Sequence, residues 1–226
     1  MSIMKKNLQR SKNLISILKI NLWMSVWQFP FFLYQYFVFS KYDFDIDLWS
    51  WDSFPPNYNE PTYDLVSGVW GLAYLVILIM CYVRFIKWFR RAYFNLEASG
   101  VIIDNSESTA AWAWFVPIYN LFAPYQIMKE LWVKTQKTYI KDPKPINNLI
   151  SWWWGVWIFN FIVDGQLDGI GGSLFGDNLE TISLVNIFMP VAWVFSAYLA
   201  IKIVQQVSEF EELMYFKNKE LFSSNP

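Results

Sequence analysis

Histidine is absent from all 226 residues. Its absence removes the commonest general base, the commonest metal ligand and the side chain that changes charge near neutral pH. No Ser-His-Asp or Cys-His nucleophile, and no histidine zinc site, can be assembled from this chain. Cysteine is nearly as scarce: Cys81 stands alone, so no disulfide can form within the chain. In its uncharged surroundings Cys81 reads as a small buried apolar residue. Charge is thin, at 16% of residues, where a soluble domain carries about a quarter. The net charge of -1 excludes a basic nucleic-acid-binding domain. What fills the space is apolar: 55% of residues are hydrophobic and 21% aromatic, with 14 Trp. A soluble fold would expose that excess as sticky patches, whereas a bilayer offers lipid tails and interfaces to hold it. The composition therefore predicts an all-α, polytopic integral membrane protein.

A span needs about 20 mostly apolar residues. Five segments qualify or nearly so: 20–39, 65–83, 108–128, 147–163 and 181–201. The first carries Asn21, Gln28, Pro30 and Gln35, and the last carries Pro190. Lys5, Lys6, Arg10 and Lys12 precede the first segment, and no small-x-small cleavage site follows it. The N-terminus reads as a signal anchor that is retained.

Charge decides how many segments cross. If 108–128 enters and leaves on one side, every Lys and Arg except Lys41 falls on that side. If all five cross, the basic residues divide evenly. The positive-inside tendency selects the first arrangement: four spans, both termini cytoplasmic, two acidic loops outside and one re-entrant segment. Five spanning helices are the alternative. Pro117 and Pro124 supply a mechanism, since each removes an N–H donor and disfavours helix in the residue before it. Backbone broken in this way must be shielded by other helices or line a wet cavity. Asn120, between the prolines, is placed to bond the freed groups, with two half-helices meeting there.

The residues after the second span have a specific order. Arg91-Ala92-Tyr93-Phe94-Asn95-Leu96 is followed by Gly100. Then come Trp112-Ala113-Trp114-Phe115-Val116-Pro117-Ile118-Tyr119-Asn120-Leu121-Phe122-Ala123-Pro124-Tyr125-Gln126 and Lys129-Glu130-Leu131-Trp132. Together these resemble the signature of a bacterial multi-pass membrane family catalogued as a domain of unknown function (DUF4328). The resemblance implies a multi-pass architecture in the bacterial inner membrane and supplies no activity.

The candidate site follows from the broken segment. Trp114, Pro117, Asn120, Pro124, Tyr125 and Gln126 form a re-entrant or pore element, supported by a polar cluster of Arg91, Tyr93 and Asn95. Asn, Tyr and freed carbonyls can replace a cation's water shell, and they can equally serve only to satisfy broken backbone. Asp164 to Gly169 opens like a calcium loop, with Asp164 and Asp168 as its acids. Phe175 stands where the bidentate Glu belongs, so a glycine-rich outer loop describes it better. Asp64 and Asp177 lie at segment ends, unlike an intramembrane aspartyl pair. Asp43, Asp45 and Asp47 read as a solvated acidic loop. Ser67 with Gly71, and Ala192, Ser196 and Ala200, repeat small residues at four-residue spacing and predict close helix packing, within or between chains.

Two domains are expected: a membrane domain over 1–204 and a cytoplasmic amphipathic tail over 205–226. In the tail Val204, Val207, Phe210, Met214 and Leu221 make an apolar stripe, with Glu209, Glu211 and Glu212 facing away. The function these features predict is a non-enzymatic, oligomeric inner-membrane module working with a cytoplasmic partner protein. The alternative is a partner-gated channel or permeabilising pore built on the broken segment, and an intramembrane enzyme is a distant third. The expected partners are the lipid bilayer, a second copy of the chain and a cytoplasmic protein, with no nucleic acid and no cofactor.

Overall fold

The computed structural model describes residues 4–41, 60–137, 140, 142–145, 148–167 and 179–223. The regular structure among them is all helical. Helix α1 spans Leu8–Lys41, α2 Glu60–Ala98, α3 Glu107–Trp112, α4 Ala123–Lys137, α5 Leu149–Leu167 and α6 Leu179–Ser223. A single 3-10 turn, Tyr119–Leu121, precedes α4.

Local chemistry sets the helix ends. Gly100, at φ 81°, takes the left-handed position that closes α2, with its N–H on the Glu97 carbonyl at 3.1 Å. Ser106 caps α3 by accepting from the Thr109 amide at 3.1 Å. Pro124 sits in the first turn of α4, where a missing N–H costs nothing. Pro124 therefore starts a helix, and the irregular stretch runs from residue 113 to 122. The expected meeting of two half-helices at Asn120 is instead a 3-10 turn between the six-residue α3 and the amphipathic α4.

Two helices among the described residues are long and apolar enough to cross a membrane. They are Leu65–Ala98 in α2 and Leu184–Glu220 in α6, with mean hydropathy 2.1 and 1.9 in their most apolar stretches. A shorter apolar helix, Leu149–Val163, lies in α5. At 1.5 Å per residue, the 39 residues of α2 and 45 of α6 extend roughly 58 and 68 Å. That is about twice the thickness of a hydrocarbon core.

Side-chain contacts fix the register. Ser25 of α1 meets Tyr74 of α2 at 3.4 Å, Cys81 meets Ile17, and Asn7 meets Trp88, so α1 and α2 run antiparallel. Tyr74 meets Trp193 in a tilted ring contact at 6.2 Å and Trp88 bonds Ser208, so α2 and α6 run parallel. The beginning of α1, the end of α2 and the last third of α6 consequently share one end of the bundle, here called the head. Ends of α1 and α6 meet there through Asn7 and Glu211.

The two halves of the bundle differ in character. In the head, Trp88, Phe89, Tyr93 and Leu96 of α2 pack with Ile127, Met128 and Trp132 of α4 and Val207 and Met214 of α6, all buried. In the other half apolar side chains point outward: Trp23 and Trp27 of α1 are 63% and 67% exposed, and the apolar stretch of α2 is only 6% buried. Polar ones point inward, with Asn21, Ser25 and Gln28 of α1 buried one or two turns apart.

The C-terminal residues continue the last helix. Helix α6 runs through residue 204 without a break, and Val204, Val207, Phe210 and Met214 are buried in the head core. Glu211 does not face away; it is 5% exposed. The reason is periodicity: Glu211 lies four residues after Val207 and three before Met214, on the apolar stripe itself. The side chain of Leu221 lies outside the described residues.

Candidate functional site

Two polar clusters occupy the head. The first centres on Glu211. Its Oε2 accepts from Asn7 Nδ2 at 2.9 Å and its Oε1 from Asn95 Nδ2 at 2.5 Å. Asn95 also grips the chain before α1, accepting from the Lys5 amide at 2.8 Å and donating to the Lys5 carbonyl at 2.7 Å. Asn7 donates as well to the Trp88 carbonyl at 3.2 Å, tying α1 to α2. Asn7 stands at the helix N-terminus where an asparagine would normally cap, but its side chain turns into the core and leaves Oδ1 without a partner among the described residues. Burial pushes the Glu211 carboxyl up to about 7, against the pull of the Asn7 and Asn95 hydrogen bonds and the Arg91 charge. Glu211 lies about 15 Å along α6 beyond residue 201, where the apolar segment was expected to end.

The second cluster joins α2 to α4 and the loop between α2 and α3. Tyr93 donates its hydroxyl proton to Glu130 Oε2 at 2.6 Å and accepts from the Asn105 amide at 3.2 Å. Glu130 collects further donors from the Asp104 amide at 2.6 Å, Asn105 Nδ2 at 2.8 Å and Lys134 Nζ at 2.8 Å. Burial favours its neutral form, but those donors outweigh it and hold the carboxyl at about 2. Burial and the neighbouring carboxylate push the Tyr93 hydroxyl far above its ordinary value. Lys134 also pairs with Asp104 at 2.9 Å. Glu130 is thus saturated with donors that favour its charged form, while burial pushes Glu211, on α6, toward its neutral form. Glu130 ties α2 to α4 and to the loop between α2 and α3, and Glu211 ties α2 to α6 and to the residues before α1.

The sequence matches the family described as Domain of unknown function (DUF4328) over residues 60–212. The chain belongs to that family. No curated protein and no solved structure matches it. The DUF4328 region begins at the first residue of α2 and ends one residue after Glu211, so Tyr93, Asn95, Glu130 and Glu211 lie within it. Lys5 and Asn7 lie outside. The residues just before α1 therefore complete a network whose other members belong to the DUF4328 region.

The sequence-derived residues fall into separate places. Asn95 joins Glu211, and Tyr93 joins Glu130. Arg91 lies over the Phe94 ring at 5.5 Å. The side chain of Asn120 meets none of these three; its main-chain N–H bonds the Val116 carbonyl at 2.9 Å inside the loop. Trp114 is the anchor of the broken segment, with ring contacts to Phe85, Phe89, Trp153, Trp154 and Trp157 at 5.3–6.5 Å. Trp154 Nε1 donates to the Leu121 carbonyl at 3.1 Å, and Tyr125 meets Ser151 at 3.1 Å, so α5 clasps the loop. Pro117 and Gln126 are exposed, and Pro124 is buried. Ile118 sits at φ 65°, a conformation that costs a β-branched residue energy.

Among the small residues, Ala200 is buried and Ser67, Ala192 and Ser196 are partly so. Gly71 is open: a Cβ there would meet nothing within 4 Å. Among the described residues, no helix packs at Gly71. The side chains of Asp164 and Asp168, like Asp43, Asp45, Asp47 and Asp177, lie outside the described residues. Sequence reading missed Glu211, Glu130 and Asn7. A signal for Glu211 existed in its spacing from Val207 and Met214; for Asn7 and Glu130 no local pattern marks the partner.

Proposed function

We propose that this protein is a non-enzymatic, oligomeric module of the bacterial inner membrane whose rigid head works with a cytoplasmic partner protein. The observation that carries the reading is the reversal of pattern along the bundle. Polar Asn21, Ser25 and Gln28 lie inside while Trp23 and Trp27 lie outside, the order suited to lipid and not to water. Past that region the same helices build a closed core with water-facing charges. In this reading four segments cross, at 20–39, 65–83, 147–163 and 181–201, and both termini are cytoplasmic. The 108–128 segment stays on the cytoplasmic side: exposed Phe115, Val116, Ile118 and Phe122 enter the leaflet, and the charges of α4 remain in water. The open face at Gly71 is available to a second copy.

The module reading is preferred to a pore because the packed side of the broken segment is aromatic, around Trp114, and its outward side is apolar. Neither supplies the carbonyl or polar lining that conduction requires. Leu213 and Phe216, half exposed on the head, are the apolar points a partner would use. The test is cross-linking in cells of the wild type against Leu213→Glu, Phe216→Glu, with ion flux from liposomes measured alongside. A lost cross-link with no flux is the expected result. An unchanged cross-linking profile, or flux abolished by Asn120→Ala, Pro124→Ala, overturns the reading.

A further inference from the structure

A groove that borders the Glu211 cluster at Lys5 and Arg91 runs along the seam between α1 and α2. It encloses about 760 Å³ and is lined by Lys5, Arg10, Arg84, Lys87, Arg90 and Arg91, with Phe94 in its wall. Glu107 on its rim is taken by Arg90 at 2.7 Å. Among the described residues no carboxylate lies within ion-pair distance of the other five cations.

Cations this close repel, and the fold holds them together. Burial and the neighbouring Arg91 and Arg90 pull the Arg10 guanidinium below its ordinary value. Arg10 Nη1 donates across the seam to the Lys87 carbonyl at 2.9 Å, and Arg84 Nη1 donates back to the Asn13 carbonyl at 3.0 Å. Lys5 and Arg91 share the Phe94 ring, at 5.1 and 5.5 Å. Each brace uses one of five guanidinium N–H donors and leaves the others for a ligand. An anion with several oxygens would relieve the repulsion and fill those donors, which is the chemistry of phosphate.

Position selects the source of the phosphate. Arg84 directly follows the apolar stretch of α2 that ends at residue 83, and Asn13 precedes the apolar stretch of α1. The groove therefore opens at the level where an apolar helix surface gives way to charge, the depth of lipid phosphates. Its volume suits a headgroup, and basic pockets between helices on the cytoplasmic side are known to hold them. We propose that this groove binds the phosphate of an anionic phospholipid of the cytoplasmic leaflet. The proposal rests on the membrane placement given above.

The experiment is native mass spectrometry of the full chain titrated with phosphatidylglycerol, cardiolipin or phosphatidylcholine, with inorganic pyrophosphate as the soluble arm. The variant is Lys5→Gln, Lys87→Gln, Arg91→Gln, because those side chains donate none of the hydrogen bonds that brace the seam. Lys129→Gln, Lys137→Gln, Lys219→Gln removes the same charge elsewhere. The wild type and the control should prefer anionic lipid by about tenfold or more, and the groove variant should lose that preference. Lys87→Gln alone, at an exposed position, should lose roughly fivefold and guards against misfolding of the triple variant. Equal retention of all lipids, or a preference unchanged in the groove variants, overturns the proposal. Pyrophosphate binding lost in the variant, without a lipid preference, assigns the groove to soluble phosphate and overturns the lipid source. Alkaline carbonate extraction separates the two failures. Release from membranes by carbonate breaks the placement itself, and retention without anionic preference breaks only the groove assignment.

Discussion

The side-chain amide of Asn95 takes both main-chain groups of Lys5, one at 2.8 Å and one at 2.7 Å, as a neighbouring strand would. The same amide reaches Glu211, so one side chain on α2 holds the start of the chain and the last helix together.

Replacing Asn95 with Leu keeps the volume and removes all three bonds, leaving the Lys5 backbone and a buried carboxyl oxygen without partners. Unsatisfied buried groups cost about 1–3 kcal/mol each, so a total loss of roughly 3 kcal/mol is expected. Thermal unfolding in detergent, followed by tryptophan fluorescence, measures it. A loss below about 1 kcal/mol would show that water replaces the amide.

Glu211 makes stability depend on pH in a defined direction. Its folded value, about 7, lies above the ordinary carboxylate value of 4.5, so the folded state holds a proton that the unfolded chain releases. The resulting stabilisation is fully present below 4.5 and is lost as pH rises through 7. The loss is at most about 3 kcal/mol. Glu211→Gln should flatten this part of the profile and be more stable than wild type at pH 8. A wild-type midpoint unchanged from pH 5 to 8 would refute it. Glu130 works in the opposite sense, since its value near 2 makes its contribution fade only as pH falls below 4.5.

How far the sequence speaks is clearest in α6. Composition and apolar runs are enough for the helical class, and the family that the chain resembles is the one whose model matches residues 60–212. The spacing of Val204, Val207, Phe210 and Met214 reveals a buried stripe, but three glutamates between Ser208 and Leu213 disguise that one of them shares it. Burial of a carboxylate depends on amides supplied from positions 7 and 95, and no local window contains all three. The broken loop was legible as a break through its prolines. That Trp114 anchors the loop depends on α5, which the local pattern does not contain.

Tyr93→Phe removes the hydroxyl between Glu130 and the Asn105 amide without changing shape. A loss of about 2 kcal/mol is expected, since the bond is to a charged acceptor. Unfolding titrations at neutral pH measure it. Hydrogen exchange should rise at residues 104–106, and an unchanged loop would show that Lys134 alone secures Glu130.

Ile118→Gly should stabilise the loop in detergent by about 1 kcal/mol, because glycine adopts φ 65° without strain. The same change removes a side chain that is 75% exposed. Spin labels at residue 116 should therefore report shallower lipid contact in the variant. A destabilised variant would show that Ile118 packs in a way one chain does not display.

The pairing of Asn7 with Glu211 also has a consequence for synthesis. The partners are separated by 204 residues, so at about 5–20 residues per second Asn7 waits roughly 10–40 s for its carboxylate to be made. Until α6 emerges, α1 lacks the helix it packs against most extensively, and Asn7 lacks its acceptor. Nascent chains arrested before residue 179 should accordingly be held by insertion factors or degraded, whereas chains arrested beyond residue 218 should already resist proteolysis.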